Sequence, residues 1–197
     1  MFIKYILCNF AFSINPRTAH RCMRSIYDIA RYIGLSLLSK GYSVSPLKLQ
    51  KLLYYVQSWY MVFFGVKHTL FKENPEAWVN GPVYPQIFHK YKECVSNMCD
   101  HLRPEHFDAE DVVKSLQDLT ESLGFTDEEI RCIDSIITLY GAKSQNQLIL
   151  MTHSESPWVE ARGTLLPIER SSNAITHLSM YNYYNNRRQQ RIAKQKA

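Results

Sequence analysis

The chain has 197 residues, 46% of them apolar, which suits one domain with a sizeable core and attached tails rather than two domains. Its net charge of +5 sits at the ends: residues 1–25 carry +4, residues 181–197 carry +5, and residues 26–180, with 14 basic and 18 acidic side chains, carry −4. A folded nucleic-acid-binding module carries positive charge on its body, so the charge map argues against that class. The five scattered cysteines exclude a close-set disulfide framework and read as unpaired thiols in a reducing cytoplasm.

In residues 1–22 a single Lys precedes an apolar stretch from Tyr5 to Ile14, a faint likeness to a signal peptide. Asn9 interrupts it, no small-x-small cleavage site follows, and it is too short to span a bilayer. These residues read as a non-core extension ahead of a domain at 23–172, with a terminal helix and basic tail at 173–197.

Ser25 with Asp28 is a capping signature; Ile26, Ile29, Ala30, Ile33, Leu37 and Leu38 then share a helical face that ends at Gly41. Ser45-Pro46 opens a second helix running to Gly65, apolar around much of its circumference and therefore central. Thr69–Phe71 and Ala77–Val79, flanking Glu73-Asn74-Pro75, predict a small hairpin. The stretch WVNGPVYP at 78–85 follows as a stiff apolar connector, and Pro85 opens a third helix. After a loop over 95–107, Asp108 with Asp111 starts a fourth helix that ends at Gly124. Thr126 with Glu129 caps a fifth, Ser144 with Gln147 a short sixth, and Ser156-Pro157 starts another. Residues 173–186 predict a last helix with a fraying Arg/Lys/Gln tail. The fold class is mostly α: a single compact domain of six to eight helices with one small β-hairpin.

The catalytic inventory is thin, with no GxSxG, HExxH or P-loop. Cys94, Cys99, His101 and His106 offer soft or imidazole ligands, but their crowded spacing does not suit tetrahedral zinc, and no metal or other cofactor is expected. Cys132, in the apolar run IRCIDSII, reads as a buried thiol rather than the partner of His153 in a nucleophilic pair. His153 and Glu155 could form an acid/base pair. The plainer reading is a helix junction in which Ser156-Pro157 starts a helix and Trp158 fills the core.

Three stretches in order, KLQKLLYYVQSWY (48–60), LFKENPEAWVNGPVYPQIFHKYK (70–92) and THSESPWVEAR (152–162), resemble the SocA-like antitoxin family, or Panacea domain, over about residues 25–170. The resemblance implies a non-enzymatic cytoplasmic antitoxin with a cognate protein toxin encoded nearby. Some members occur in prophages, and at least one acts as an adaptor to an ATP-dependent protease. It marks Lys51, Trp78, Gly81, Pro82, Pro85, His153, Glu155, Pro157 and Trp158 as motif residues that maintain the fold. As partner-binding candidates the reading offers Tyr54, Tyr55, Trp59, Tyr84, Gln86, His89 and Arg162, because aromatic and Arg anchors dominate interfaces. A nucleic-acid role would fall to the basic tail, and no membrane partner is expected.

Overall fold

Proline suits the first turn of a helix because the amide hydrogen it lacks has no intrahelical acceptor there. At Ser45-Pro46 the serine hydroxyl accepts the Lys48 N–H, starting the central helix of the molecule. A computed structural model describes residues 23–196. The extension expected at 1–22 lies outside the described residues.

Among the described residues eight α-helices and one hairpin follow in order: α1 (Ile26–Ser39), α2 (Pro46–Phe64), β1 (Glu76–Trp78), β2 (Gly81–Val83), α3 (Pro85–Lys92), α4 (Val112–Leu123), α5 (Asp127–Gly141), α6 (Gln145–His153), α7 (Ser156–Arg162) and α8 (His177–Lys196). α2 is buried without a break from Lys48 to Val62 and packs against α1, α5, α6, α8 and β2. This all-round burial follows from its nearly continuous apolar circumference. The fold class is the expected one, mostly α with one small hairpin. Among the described residues no helix is long and apolar enough to cross a membrane.

Three local expectations are corrected. The hairpin is one step later in the chain: β1 pairs antiparallel with β2 in the register Glu76↔Val83, Ala77↔Pro82, Trp78↔Gly81. Residues 78–85 therefore include the hairpin turn and second strand rather than a connector behind it. Leu70 and Phe71 look β-like, but Leu70 N–H and Phe71 O bond the Gln57 side chain, and Leu70 O accepts the Arg24 N–H. The fourth helix starts at Val112 with Asp111 as its cap, because Asp108 sits at φ 52 after a 3₁₀ turn at Pro104–Phe107. The tail does not break at 186; α8 continues to Lys196.

The hairpin's outer edge is also covered. Ala77 N–H donates to Asn173 O at 2.9 Å and Ile175 N–H to Pro75 O at 2.7 Å. The 173–175 segment thus leads from the hairpin edge into α8, which packs along α2.

Candidate functional site

A helix buried on every side can carry polar side chains only if each finds a partner. α2 carries Lys48, Gln50, Lys51, Gln57 and Ser58 at 6% exposure or less. Four of them bond backbone groups outside α2. Gln50 accepts the Tyr84 N–H at 2.8 Å and donates to Tyr84 O at 3.4 Å, as a strand neighbour would. Gln57 does the same for Leu70 N–H and Phe71 O, at 3.0 and 2.9 Å. Lys51 Nζ, fully buried, donates to Pro82 O at 2.9 Å. Lys48 Nζ donates to Gly141 O at 2.6 Å.

α7 holds the hairpin from the other side. Trp158 Nε1 donates to Trp78 O at 3.0 Å, and Arg162 Nη1 to Ala77 O at 3.1 Å. Arg162 Nη2 reaches Leu166 O and Glu169 O, so one guanidinium fixes the hairpin and the loop after α7. Gly81 lies where these ties converge: its φ is +92, and a Cβ there would come within 2.6 Å of Thr152 Oγ1 and 2.8 Å of Lys51 Cε. Burial lowers the Lys51 ammonium from 10.5 to about 7.

Glu155 anchors a second cluster. Its carboxylate is 1% exposed and accepts from Tyr184 at 2.5 Å and from Tyr55 at 3.3 Å, with Arg187 Nη1 at 3.6 Å. Burial raises its carboxyl from 4.5 to about 7, against the opposing pull of Tyr184 and Arg187. Tyr55 also stacks on Tyr140 with centroids 4.0 Å apart, and Trp59 Nε1 donates to the Tyr140 hydroxyl at 2.9 Å. His153 faces elsewhere, stacked on Trp158 at 4.1 Å. Its pKa is lowered by burial and then by Lys51, while the Val79 backbone opposes the shift. His153 and Glu155 thus belong to separate clusters and do not work as a pair.

A second buried carboxylate, Glu129, reads in the sequence only as a capping partner. It does accept the Thr126 N–H at 2.8 Å, but Arg24 also grips it through both terminal nitrogens at 3.3 Å, and Tyr60 donates at 2.5 Å. Arg24 and Glu129 stand 105 positions apart, and only the polarity of Tyr60 on an otherwise apolar helix face hinted at the pairing.

The partner-binding candidates divide sharply. Tyr54, Tyr55 and Tyr84 have no exposed surface, and Trp59 and Arg162 are 6% and 4% exposed. Buried within their own chain, these five have almost nothing to offer a partner; they are core and ties. Gln86 and His89 are exposed on α3. Among the motif residues, Pro82 is buried in β2, and Pro85 and Pro157 stand in the first turns of α3 and α7. Cys94, Cys99, His101 and His106 do not gather: among the described residues no three His, Cys, Asp or Glu side chains could hold a metal ion. His106 Nδ1 instead accepts the Arg103 N–H at 3.0 Å. Cys132 is fully buried, and burial pushes its thiol pKa well up, the opposite of an activated nucleophile.

Beside the hairpin lies a groove of about 790 Å³, with Trp78, Val79, Val83 and Phe88 among its apolar walls and Lys92 and Arg170 among its polar lining. A second cleft of about 860 Å³, between α7 and α8, is mostly polar.

The fold and its ties define a helical scaffold whose motif side chains pin a β-hairpin against a central helix. The sequence model of the family described as Antitoxin SocA-like, Panacea domain, matches residues 49–159, more than half of the chain, and the chain belongs to that family. The match takes in α2 from Leu49 onward, the hairpin, Glu155 and Trp158, and ends before Arg162. No curated protein and no solved structure matches.

Proposed function

We propose that this protein is the antitoxin of a toxin–antitoxin pair and neutralises a cognate protein toxin by binding it directly. The family carries the first half of this reading. The observation favouring binding over catalysis is the use made of the buried polar motif residues: Lys51, Trp158 and Arg162 donate to carbonyls of their own chain, and Glu155 accepts from its own tyrosines. None of these contacts leaves a nucleophile and base paired in an open cleft. The exposed face of α3, with Gln86 and His89, and the adjoining groove supply the partner surface. A masking interface would bury on the order of 1,200–2,000 Å², so it extends well beyond the groove. Delivery of the toxin to an ATP-dependent protease is the second reading. It starts from the same complex but ends in toxin loss.

Co-expression with the product of the adjacent open reading frame tests both. Rescue of growth with a stable complex is the expected result. Rescue with disappearance of the neighbour would favour the protease adaptor, and a harmless neighbour with no complex would sink the antitoxin reading for that pair.

A further inference from the structure

The groove beside the hairpin has the chemistry of a peptide-binding site. Its apolar part is made by Trp78, Val79 and Val83 from the hairpin and by Phe88 from α3, with Trp78 and Phe88 packed edge to face at 4.8 Å. Its charged groups are Glu76, Lys92 and Arg170. Glu76 is occupied by the Trp78 indole N–H at 2.7 Å. Of the acids nearby in the chain, Glu169 accepts the Leu166 N–H and Asp100 the Asn97 N–H, while Glu93, beside Lys92, is exposed to solvent. Lys92 and Arg170 meet no carboxylate within ion-pair distance among the described residues, and Lys92 instead lies 5.9 Å over the Phe88 ring. The groove therefore offers an apolar bed with two cations free of ion pairs among the described residues, set against the single carboxylate of Glu76.

We propose that this groove docks an extended segment of a partner protein in which an aliphatic or aromatic side chain is flanked by acidic residues. The apolar side chain would lie against Trp78, Val79 and Phe88, and the carboxylates would meet Lys92 and Arg170. An apolar anchor with a charged surround is the usual anatomy of a protein interface. The volume of about 790 Å³ falls in the range of binding clefts. Two cations are too few to track a phosphate backbone, but they can pair with the one or two carboxylates of a short acidic segment. The hairpin is fixed by Lys51, Trp158 and Arg162, so the site is preorganised and little ordering cost falls on it when the segment binds. The proposal rests on the antitoxin reading only for identifying the segment's owner as the toxin.

The test uses the full chain and a library of random linear peptides displayed on phage, panned against wild type and against the exposed double variant K92E/R170E. Unchanged melting temperature establishes that the variant folds. Enriched peptides are expected to carry Leu, Phe or Trp beside Asp or Glu, and to bind the variant about tenfold or more weakly. Their binding to wild type should also fall as salt is raised. Absence of enrichment, enrichment of basic peptides, or equal binding to the variant would overturn the proposal. Co-expression separates the two readings. If wild type rescues growth and K92E/R170E does not, the groove is supported; if both rescue equally, the groove is wrong and the antitoxin reading stands. If wild type does not rescue, the antitoxin reading fails for that neighbour, and the peptide result alone decides the groove.

Discussion

Lys51, in the second turn of the central helix, donates from Nζ to the carbonyl of Pro82 at 2.9 Å, across the Cα of Gly81. A residue with no N–H, a residue with no side chain and a buried ammonium thus make one joint. WVNGPVYP holds apolar and chain-breaking residues together because it is a hairpin strand bonded to a helix's side chains. A β-branched ladder on a neighbouring strand is not needed there.

Gly81→Ala should destabilise the fold by about 2–4 kcal/mol, since the methyl combines a left-handed φ with contacts under 3 Å to Thr152 and Lys51. Gly124→Ala is the control. Its φ of +56 is also positive, but a Cβ there meets nothing within 4 Å, so the cost should stay near ~1 kcal/mol. Urea unfolding of the two variants compares strain alone with strain plus collision; equal losses would mean that the Lys51–Gly81 approach is not tight.

The two buried charges should give opposite pH slopes. Glu155 is raised from 4.5 to about 7, so the folded chain keeps a proton that the unfolded chain has lost. Its stabilising contribution is full below 4.5 and is lost as pH rises through 7. Lys51 is lowered from 10.5 to about 7, so the unfolded chain holds the extra proton between those values. Its contribution is full above 10.5 and is lost as pH falls through 7. The effects are on the order of 3 kcal/mol for Glu155 and 5 kcal/mol for Lys51. In unfolding free energies measured across pH, Glu155→Gln should remove the fall between 4.5 and 7, and Lys51→Met the rise between 7 and 10.5. Parallel wild-type and variant profiles would contradict the assignment.

Legibility in the sequence followed the range of the interaction. Caps at Ser25, Ser45, Thr126 and Ser144 join neighbours, and all four were readable. The hairpin register depends on where Gln50, Gln57 and Lys51 spend their hydrogen bonds, up to 34 residues away, and no local period reports that. Tyr54, Tyr55 and Tyr84 read as surface anchors because cores and interfaces share a taste for aromatics. For Tyr54 and Tyr55 the sequence also carries the corrective signal, since a tyrosine in a helix apolar around most of its circumference has no outer face to occupy; Tyr84, just ahead of α3, carries none. The groove escaped because Phe88, Met98 and Arg170 reach it from separate segments.

Arg162→Lys should cost about 2 kcal/mol despite keeping the charge. The guanidinium fork serves the carbonyls of Ala77, Leu166 and Glu169 together, and a single ammonium lacks that planar spread. The damage should be local first. Limited proteolysis within 164–170 should quicken while global unfolding remains cooperative. A loop that stays as resistant as in wild type would show that the Ala77 contact carries the role alone.

The last prediction concerns α8, which meets the body through Tyr184 and Arg187 on Glu155 and through His177 on Glu73 O and Gln57. Tyr184→Phe removes a buried donor from a carboxylate, and Glu155→Gln removes the carboxylate itself. Each alone should destabilise by about 1–3 kcal/mol. The double variant should lose less than the sum, with a coupling of about 1 kcal/mol or more, because both changes break the same contact. Hydrogen exchange places the loss: amides of 184–192 should exchange faster in either variant, while those of 49–56 in α2 hold their protection. Additive losses with uniform exchange would mean that α8 is held by aromatic packing around Tyr54 and Trp59 rather than by the carboxylate.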